Sequence, residues 1–398
     1  MNKSNLNLFL EINNFDFTFF VGEVDEQNLF KSIYKANVPV TGIENNSFID
    51  FENVFNLIKD NIYSIEQKYN HTFKEIILIL ENFDPKFVNL SGYKKLNGSQ
   101  IVKENIIYII NILKSYVDKI EKNKTIIHIF NSKFKLDNKK IENLPIGLFG
   151  DFYSHELAFA LINTNDYKNL NLIFENINLK VKKILLKSFI KGSYLSNKNI
   201  DTNTFFQIKI NDKNSNLFYF ENDTLKLEQN FNFGSDIILK DISKITSLKR
   251  QTITNFLKKI ELLKDFSEDE IIEENFFTSE NYRKIKKDLI YKIASARIKE
   301  ISELMIFKNI NLNYYNKCPI PIFIELDQDS IDYNFKKMYK IIFSMNDKFD
   351  VKFTNSLTSE DLFKSAYQIV HFGWNKEAIP VSKAQKSLIA RLFDAIFS

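Results

Sequence analysis

The end of the chain carries its clearest periodicity. Between residues 383 and 397, Leu388, Ile389, Leu392, Phe393, Ile396 and Phe397 recur at i, i+3, i+4 and i+7 spacing, which stacks them on one face of a helix. Lys383, Lys386, Ser387, Arg391 and Asp394 take the remaining surface. At about 1.5 Å per residue the helix is roughly 22 Å long, short of a hydrocarbon core of about 30 Å. The pattern therefore predicts a basic amphipathic helix that lies in a membrane surface or packs back on its own domain, but does not span a bilayer. Pro380 and the polar run 375–377 read as a tether between this helix and His371-Phe372-Gly373-Trp374.

Upstream, short β-like runs alternate with long helical patterns. Strands are predicted at 7–12 and 16–24 around a turn at Asn13-Asn14, followed by a helix over 51–69 and a strand at 75–80. A helix over 99–119, strands at 125–130 and 155–162, and a helix over 168–174 come next. Hairpin-like strands recur at 205–210, 217–220 and 224–231, and a helical stretch at 279–305 follows the acidic segment 268–274. The chain is mixed α/β, and its two strand-then-helix halves point to an internal duplication.

Composition narrows the function classes. With 398 residues and 44% hydrophobic content the chain can bury a large core, which excludes intrinsic disorder. A net charge of +4 leaves no global nucleic-acid footprint, and the basic runs 182–191 and 249–259 read as solvated helix faces. Cys318 is the single cysteine, so no intrachain disulfide or multi-cysteine zinc site is expected, as suits a reducing compartment. His71, His128, His155 and His371 lie on distant segments without metal-ligand spacing. Neither a Gly-x-Ser-x-Gly elbow nor a Walker loop occurs, and the acidic run of Glu268, Asp269, Glu270, Glu273 and Glu274 reads as surface. The start of the chain lacks the pattern of a signal peptide, and no stretch is apolar enough to span a membrane; the expectation is a cytoplasmic protein with a peripheral hold on a membrane.

In their order along the chain, Leu10-Glu11-Ile12 with Val21-Gly22-Glu23-Val24, the segment 144–150, Ala296-Arg297-Ile298-Lys299-Glu300-Ile301 and His371-Phe372-Gly373 are landmarks that resemble the FtsA family of bacterial cell-division proteins, members of the actin-like ATPase superfamily. Leu10-Glu11-Ile12 with Val21-Gly22-Glu23-Val24 resembles the family's first strand pair, and 144–150 (Leu-Pro-Ile-Gly-Leu-Phe-Gly) its Pro-x-Gly-x-x-Gly segment. Thr224-Leu225 and the stretch 234–243 with Asp241-Ile242 resemble the region after the second phosphate loop. Ala296-Arg297-Ile298-Lys299-Glu300-Ile301 resembles the Ala-Arg-x-x-Glu helix, and His371-Phe372-Gly373 the end of the last domain helix, ahead of a linker and a membrane-targeting helix.

The resemblance implies an α/β, two-lobed actin-like fold of duplicated RNase H-like domains. Its parts would be a first-lobe core over 1–83 and 164–203, an FtsA-type inserted subdomain over 84–163, and a second-lobe core over 204–255 and 315–376. A small second-lobe subdomain over 256–314 and a linker with the C-terminal amphipathic helix over 377–398 complete it. It further implies an adaptor that tethers filaments of the tubulin-like FtsZ to the cytoplasmic face of the plasma membrane at the division site. The membrane contacts would be Lys383, Lys386, Leu388, Ile389, Arg391, Leu392, Phe393, Ile396 and Phe397 on anionic phospholipid. Arg297 and Glu300 would receive the acidic FtsZ tail, although an exposed i, i+3 ion pair explains the same two residues. Self-association, with the inserted subdomain as its surface, and contacts with other division proteins complete the implied partners; nucleic acid is not among them.

The nucleotide loops depart from the family. Phosphates in this fold are held by backbone N–H groups at glycine turns, and the chain has nine glycines. The first loop reads Glu11-Ile12-Asn13-Asn14-Phe15-Asp16, with Asp16 where the family has lysine. The second reads Lys209-Ile210-Asn211-Asp212-Lys213-Asn214, with a cation where the family has the magnesium-binding aspartate. The adenosine-region Gly-Gly is replaced near Leu326-Asp327. One reading is a pseudo-ATPase with no cofactor. The alternative is a working actin-like ATPase, in which Asn13, Asn14, Asn211 and Asn214 keep the turns by adopting positive φ and Lys209 and Lys213 hold the phosphates of magnesium ATP. A third reading is an actin-like adaptor of another envelope machine, such as pilus assembly.

Overall fold

The computed structural model describes residues 5–378, apart from 14–15, 26–29, 45–46, 82, 200–201, 260–265, 268, 314–319, 327–334 and 345–348. The chain divides into two units, Met1–Ile190 with Phe363–Ser398, and Lys191–Leu362.

In the first unit the order is β1 (Asn5–Ile12), β2 (Asp16–Val24), β3 (Phe30–Pro39), the small pair β4 (Ile43–Glu44) and β5 (Ser47–Phe48), α1 (Phe51–Tyr69) and β6 (Glu75–Leu80). Then come β7 (Lys86–Lys95), α2 (Lys103–Ile120), β8 (Lys124–Leu136), β9 (Lys139–Ile141), β10 (Phe152–Asn163), α3 (Thr164–Asn176), β11 (Lys180–Leu186) and α4 (Lys187–Lys198), which leads into the second unit. That unit has β12 (Phe205–Ile210), β13 (Ser215–Glu221), β14 (Thr224–Phe231), α5 (Asp236–Thr246), α6 (Arg250–Lys259), α7 (Lys287–Ser302), β15 (Ile322–Leu326), α8 (Lys336–Ser344) and β16 (Val351–Thr354). Finally α9 (Ser359–Phe372) returns the chain to the first unit.

The same sheet is built twice. Its order is β11-β6-β1-β2-β3 in the first unit and β14-β13-β12-β15-β16 in the second. In each, three strands form an antiparallel meander, a fourth pairs parallel to the first, and a fifth pairs parallel to the fourth. The central parallel strands, β6 with EIILIL and β15 with IFIEL, are apolar almost throughout because both of their faces are covered. Phe363 of α9 stacks on Phe20 at 4.0 Å between centroids and meets Phe9 edge-on, closing one face of the first sheet.

A third sheet, β7-β10-β8-β9, is antiparallel throughout and lies between β6 and α3 in sequence. It rests on α2, whose Ile106, Ile109, Ile110, Leu113 and Val117 are buried at helical spacing. The β8–β9 hairpin turns at Asp137-Asn138 and the β13–β14 hairpin at Asn222-Asp223, all four with positive φ, as a type I′ turn needs.

Three expectations are corrected. The helix predicted from 99 begins at Lys103, because the segment before it bonds to the 147–149 loop, with Ile101 N–H donating to the Leu148 carbonyl at 2.8 Å. The helix predicted from 279 begins at Lys287, and the preceding Lys286 bridges Ile271. The basic run 182–191 is not one helix face: Lys182 and Lys183 belong to β11, and α4 starts at Lys187. A strand alternates faces every residue, and the parallel pairing with β6 selects it over the helical reading.

Candidate functional site

Ligands of open α/β sheets bind beyond the carboxyl ends of the parallel strands. In the first unit that edge holds Glu11 near the end of β1, Glu81 just past β6, and Lys187 just past β11. The Lys187 ammonium lies 2.5 Å from Glu11 and 2.7 Å from Glu81. Burial works against the charge on Lys187, yet the two carboxylates outweigh it and hold the ammonium above its usual range. The acid that the first loop retains is thus engaged by a cation of the chain itself.

The turn that follows is closed by its own side chains. Asn13 Nδ2 donates to Asp16 Oδ1 at 2.8 Å, the Asp16 N–H donates to Asn13 Oδ1 at 2.9 Å, and the Asn13 N–H donates to the Asp16 carbonyl. The second unit repeats the arrangement at the equivalent place. The Asn211 N–H donates to the Asn214 carbonyl at 2.9 Å, and Asn211 Nδ2 to Asn214 Oδ1 at 2.6 Å. Asn13, Asn211 and Asn214 do not have positive φ, so the described asparagines do not rebuild glycine turns.

Amides that point at a phosphate in a binding loop are spent locally here. At the start of α5 the Ser235 N–H donates to the Asn211 carbonyl and the Asp236 N–H to the Asp212 carbonyl, at 3.0 and 2.9 Å. Gly234 permits this approach: a Cβ there would lie 2.1 Å from the Asn211 carbonyl oxygen. Asp236 pairs with Lys240 and Arg250; burial raises its pKa, but these two cations prevail and hold the carboxyl below its ordinary range. On β15, Glu325 is buried and accepts from Lys191 at 3.3 Å and from Ser356 Oγ at 3.0 Å. Leu326 is buried in the core of the second unit. Among the described residues, Lys209 and Lys213 make no ion pair. Asn14, Asp327 and every membrane-contact residue from Lys383 to Phe397 lie outside the described residues.

Arg297 is held on both sides. Its guanidinium bonds Asp241 of α5 and reaches Glu300 one turn along α7 at 2.5 Å, and these carboxylates keep its pKa above the usual value. An acidic peptide arriving at Arg297 must displace or share them. Sequence reasoning missed Glu81, Lys187, Lys191 and Glu325, which spacing cannot connect. Among the described residues no helix is long and apolar enough to cross a membrane, and no group of three or more His, Cys, Asp or Glu is placed to hold a metal ion.

No protein-family model and no curated protein matches the chain. Among solved structures it is similar to a chain of a PilM–PilN type IV pilus biogenesis complex, with TM-score 0.50 and 10% identity over 92% of this chain and 98% of that one. The fold is actin-like. Looser similarities of the actin-like chain are to MreB5 of Spiroplasma citri bound to ADP (TM-score 0.40, 10% identity, 92% and 96% covered) and to EutJ from Carboxydothermus hydrogenoformans (0.39, 8%, 92% and 90%). The actin-like fold accounts for the doubled sheet order, and at 10% identity the likeness goes no further than the fold.

Proposed function

We propose that this actin-like protein is an adaptor: it binds protein partners and itself through the inserted sheet and α2, docks on anionic membrane through the C-terminal amphipathic helix, and so tethers FtsZ filaments. The supporting observation is where bulky apolar side chains remain exposed. Of the 21 such residues among those described, 11 belong to the inserted segment between Lys86 and Asn163. On α2, Tyr108, Ile112, Tyr116 and Ile120 recur every fourth residue and are each about half exposed, and Leu144, Ile146, Leu148 and Phe149 crowd the 144–149 loop. Exposed apolar surface gathered in this way is the usual mark of a protein-binding face. The self-bonded phosphate turns favour assembly without ATP gating.

A second reading, an adaptor of a pilus-type envelope machine, has the same fold likeness in its favour. Co-sedimentation of the full chain with phosphatidylglycerol vesicles, with and without FtsZ filaments, tests the adaptor reading and its partner. Vesicle binding with FtsZ recruitment supports the first reading, vesicle binding without it shifts the weight to the second, and no vesicle binding sinks both. Calorimetry with magnesium ATP at millimolar concentration is expected to give no heat of binding; saturable binding would restore the ATP-gated alternative.

A further inference from the structure

Between β9 and β10 the loop 144–150 reads Leu-Pro-Ile-Gly-Leu-Phe-Gly, a run without a polar side chain. Surface loops are ordinarily polar. Here Leu144, Ile146, Leu148 and Phe149 are 39 to 69% exposed, and Pro145 alone of the run is buried. The backbone, by contrast, is bonded inside the protein. Gly147, with φ +89°, turns the loop back along residues 98–101. The Gly147 N–H donates to the Ile101 carbonyl at 2.9 Å, the Ile101 N–H to the Leu148 carbonyl at 2.8 Å, and the Leu148 N–H to the Pro145 carbonyl at 3.2 Å. Gln100 Nε2 donates to the Gly147 carbonyl at 2.7 Å and the Gly98 N–H to the Gly150 carbonyl at 3.1 Å. Pro145 has no N–H to satisfy. Each group bonded in this way lowers the cost of placing the loop in an apolar layer.

Basic side chains flank the same end of the inserted sheet. Asp137 Oδ1 accepts from the Asp151 and Phe152 N–H groups at 2.9 and 2.8 Å, which ties the loop to the β8–β9 hairpin. On that hairpin Lys135 stands directly opposite Lys140, and both are exposed. Like charges at opposed positions repel, so this pair favours an anion from outside the chain. Lys95, opposite Phe152 at the end of β7, and Lys103, which opens α2, are exposed as well. The neighbouring carboxylates are Glu104, Asp137, Glu142 and Asp151, and among the described residues none forms an ion pair with these lysines. We propose that this end of the inserted sheet is a second membrane contact: Leu148 and Phe149 enter the boundary between headgroups and acyl chains of an anionic lipid layer, and Lys95, Lys135 and Lys140 meet its headgroups. The exposed apolar residues of α2 remain for protein partners. The inference goes beyond the adaptor reading and does not rest on the helix of 383–397.

Cys318 is the single cysteine of the chain, so a reporter can be placed on the loop alone. In the full chain, Phe149→Cys with Cys318→Ser, labelled with nitrobenzoxadiazole, is expected to brighten and shift its emission to the blue on phosphatidylglycerol vesicles. The change should be much smaller on phosphatidylcholine vesicles, or when Lys135→Glu and Lys140→Glu are added. An equal change on phosphatidylcholine would overturn the proposal. So would a chain that sediments with phosphatidylglycerol vesicles while the label stays unchanged, an outcome that leaves docking through 383–397 standing. A change that grows with protein concentration in the absence of lipid would assign the loop to a second copy and overturn the lipid contact. As a check free of the label, Ile146→Glu with Leu148→Glu is expected to lower the fraction that sediments at limiting phosphatidylglycerol; an unchanged fraction would count equally against it.

Discussion

Lys187 stands between Glu11 and Glu81 at 2.5 and 2.7 Å, where the actin-like fold ends three parallel strands side by side. Removing Lys187 takes away the cation that Glu11 and Glu81 share. Lys187→Met is expected to destabilise the protein by about 3 kcal/mol at pH 7, read from urea unfolding. A loss below about 1 kcal/mol would mean that the cluster behaves as an ordinary surface ion pair.

His155 is fully buried in the inserted sheet, with Nε2 on Asn131 Oδ1 at 2.9 Å and Nδ1 without a hydrogen-bond partner. Burial pushes its pKa from 6.5 down to about 4. Between these values the unfolded chain takes up a proton that the folded chain refuses, so stability falls as pH drops from 6.5 toward 4. The contribution at stake is about 3 kcal/mol. His155→Phe should flatten that part of the pH–stability curve; an unchanged slope in urea titrations between pH 7 and pH 4.5 would count against it.

On α2, Ile112 and Tyr116 are about half exposed and are not among the residues that the helix buries. Ile112→Lys with Tyr116→Lys is expected to abolish self-association in analytical ultracentrifugation while leaving the melting temperature within a few degrees. Retention of the larger species would move the contact elsewhere.

For the amphipathic helix proposed over 383–397, the apolar stripe of the sequence makes the prediction. Each bulky residue is worth about 1.5 to 3 kcal/mol when fully buried, so Leu392→Asp or Phe393→Asp should release the protein from phosphatidylglycerol vesicles. Undiminished co-sedimentation would show that the attachment does not use this stripe.

Much of the fold was legible in sequence. Local periodicity located the first strand pair, α1, β6 and the hairpin strands of the second unit, because each buries one face at a spacing that its own residues dictate. The duplication and the actin-like fold followed from element order and motif order. The charge of the phosphate loops was equally plain, since Asp16 and Lys209 need no coordinates to be an anion and a cation. Less was legible where the answer is a pairing. Lys187 read as one lysine in a basic run, and only the parallel pairing of β11 with β6 brings it to Glu11, 176 residues earlier. Likewise Arg297 matched a partner-binding motif in sequence, and packing of α5 against α7 revealed that Asp241 already holds it. Spacing determines which residues share a face of one element. Which faces meet, and which charges are thereby neutralised, is decided by contacts between distant segments, because ion pairs and buried hydrogen bonds form only after the sheets have brought those segments within a few ångströms.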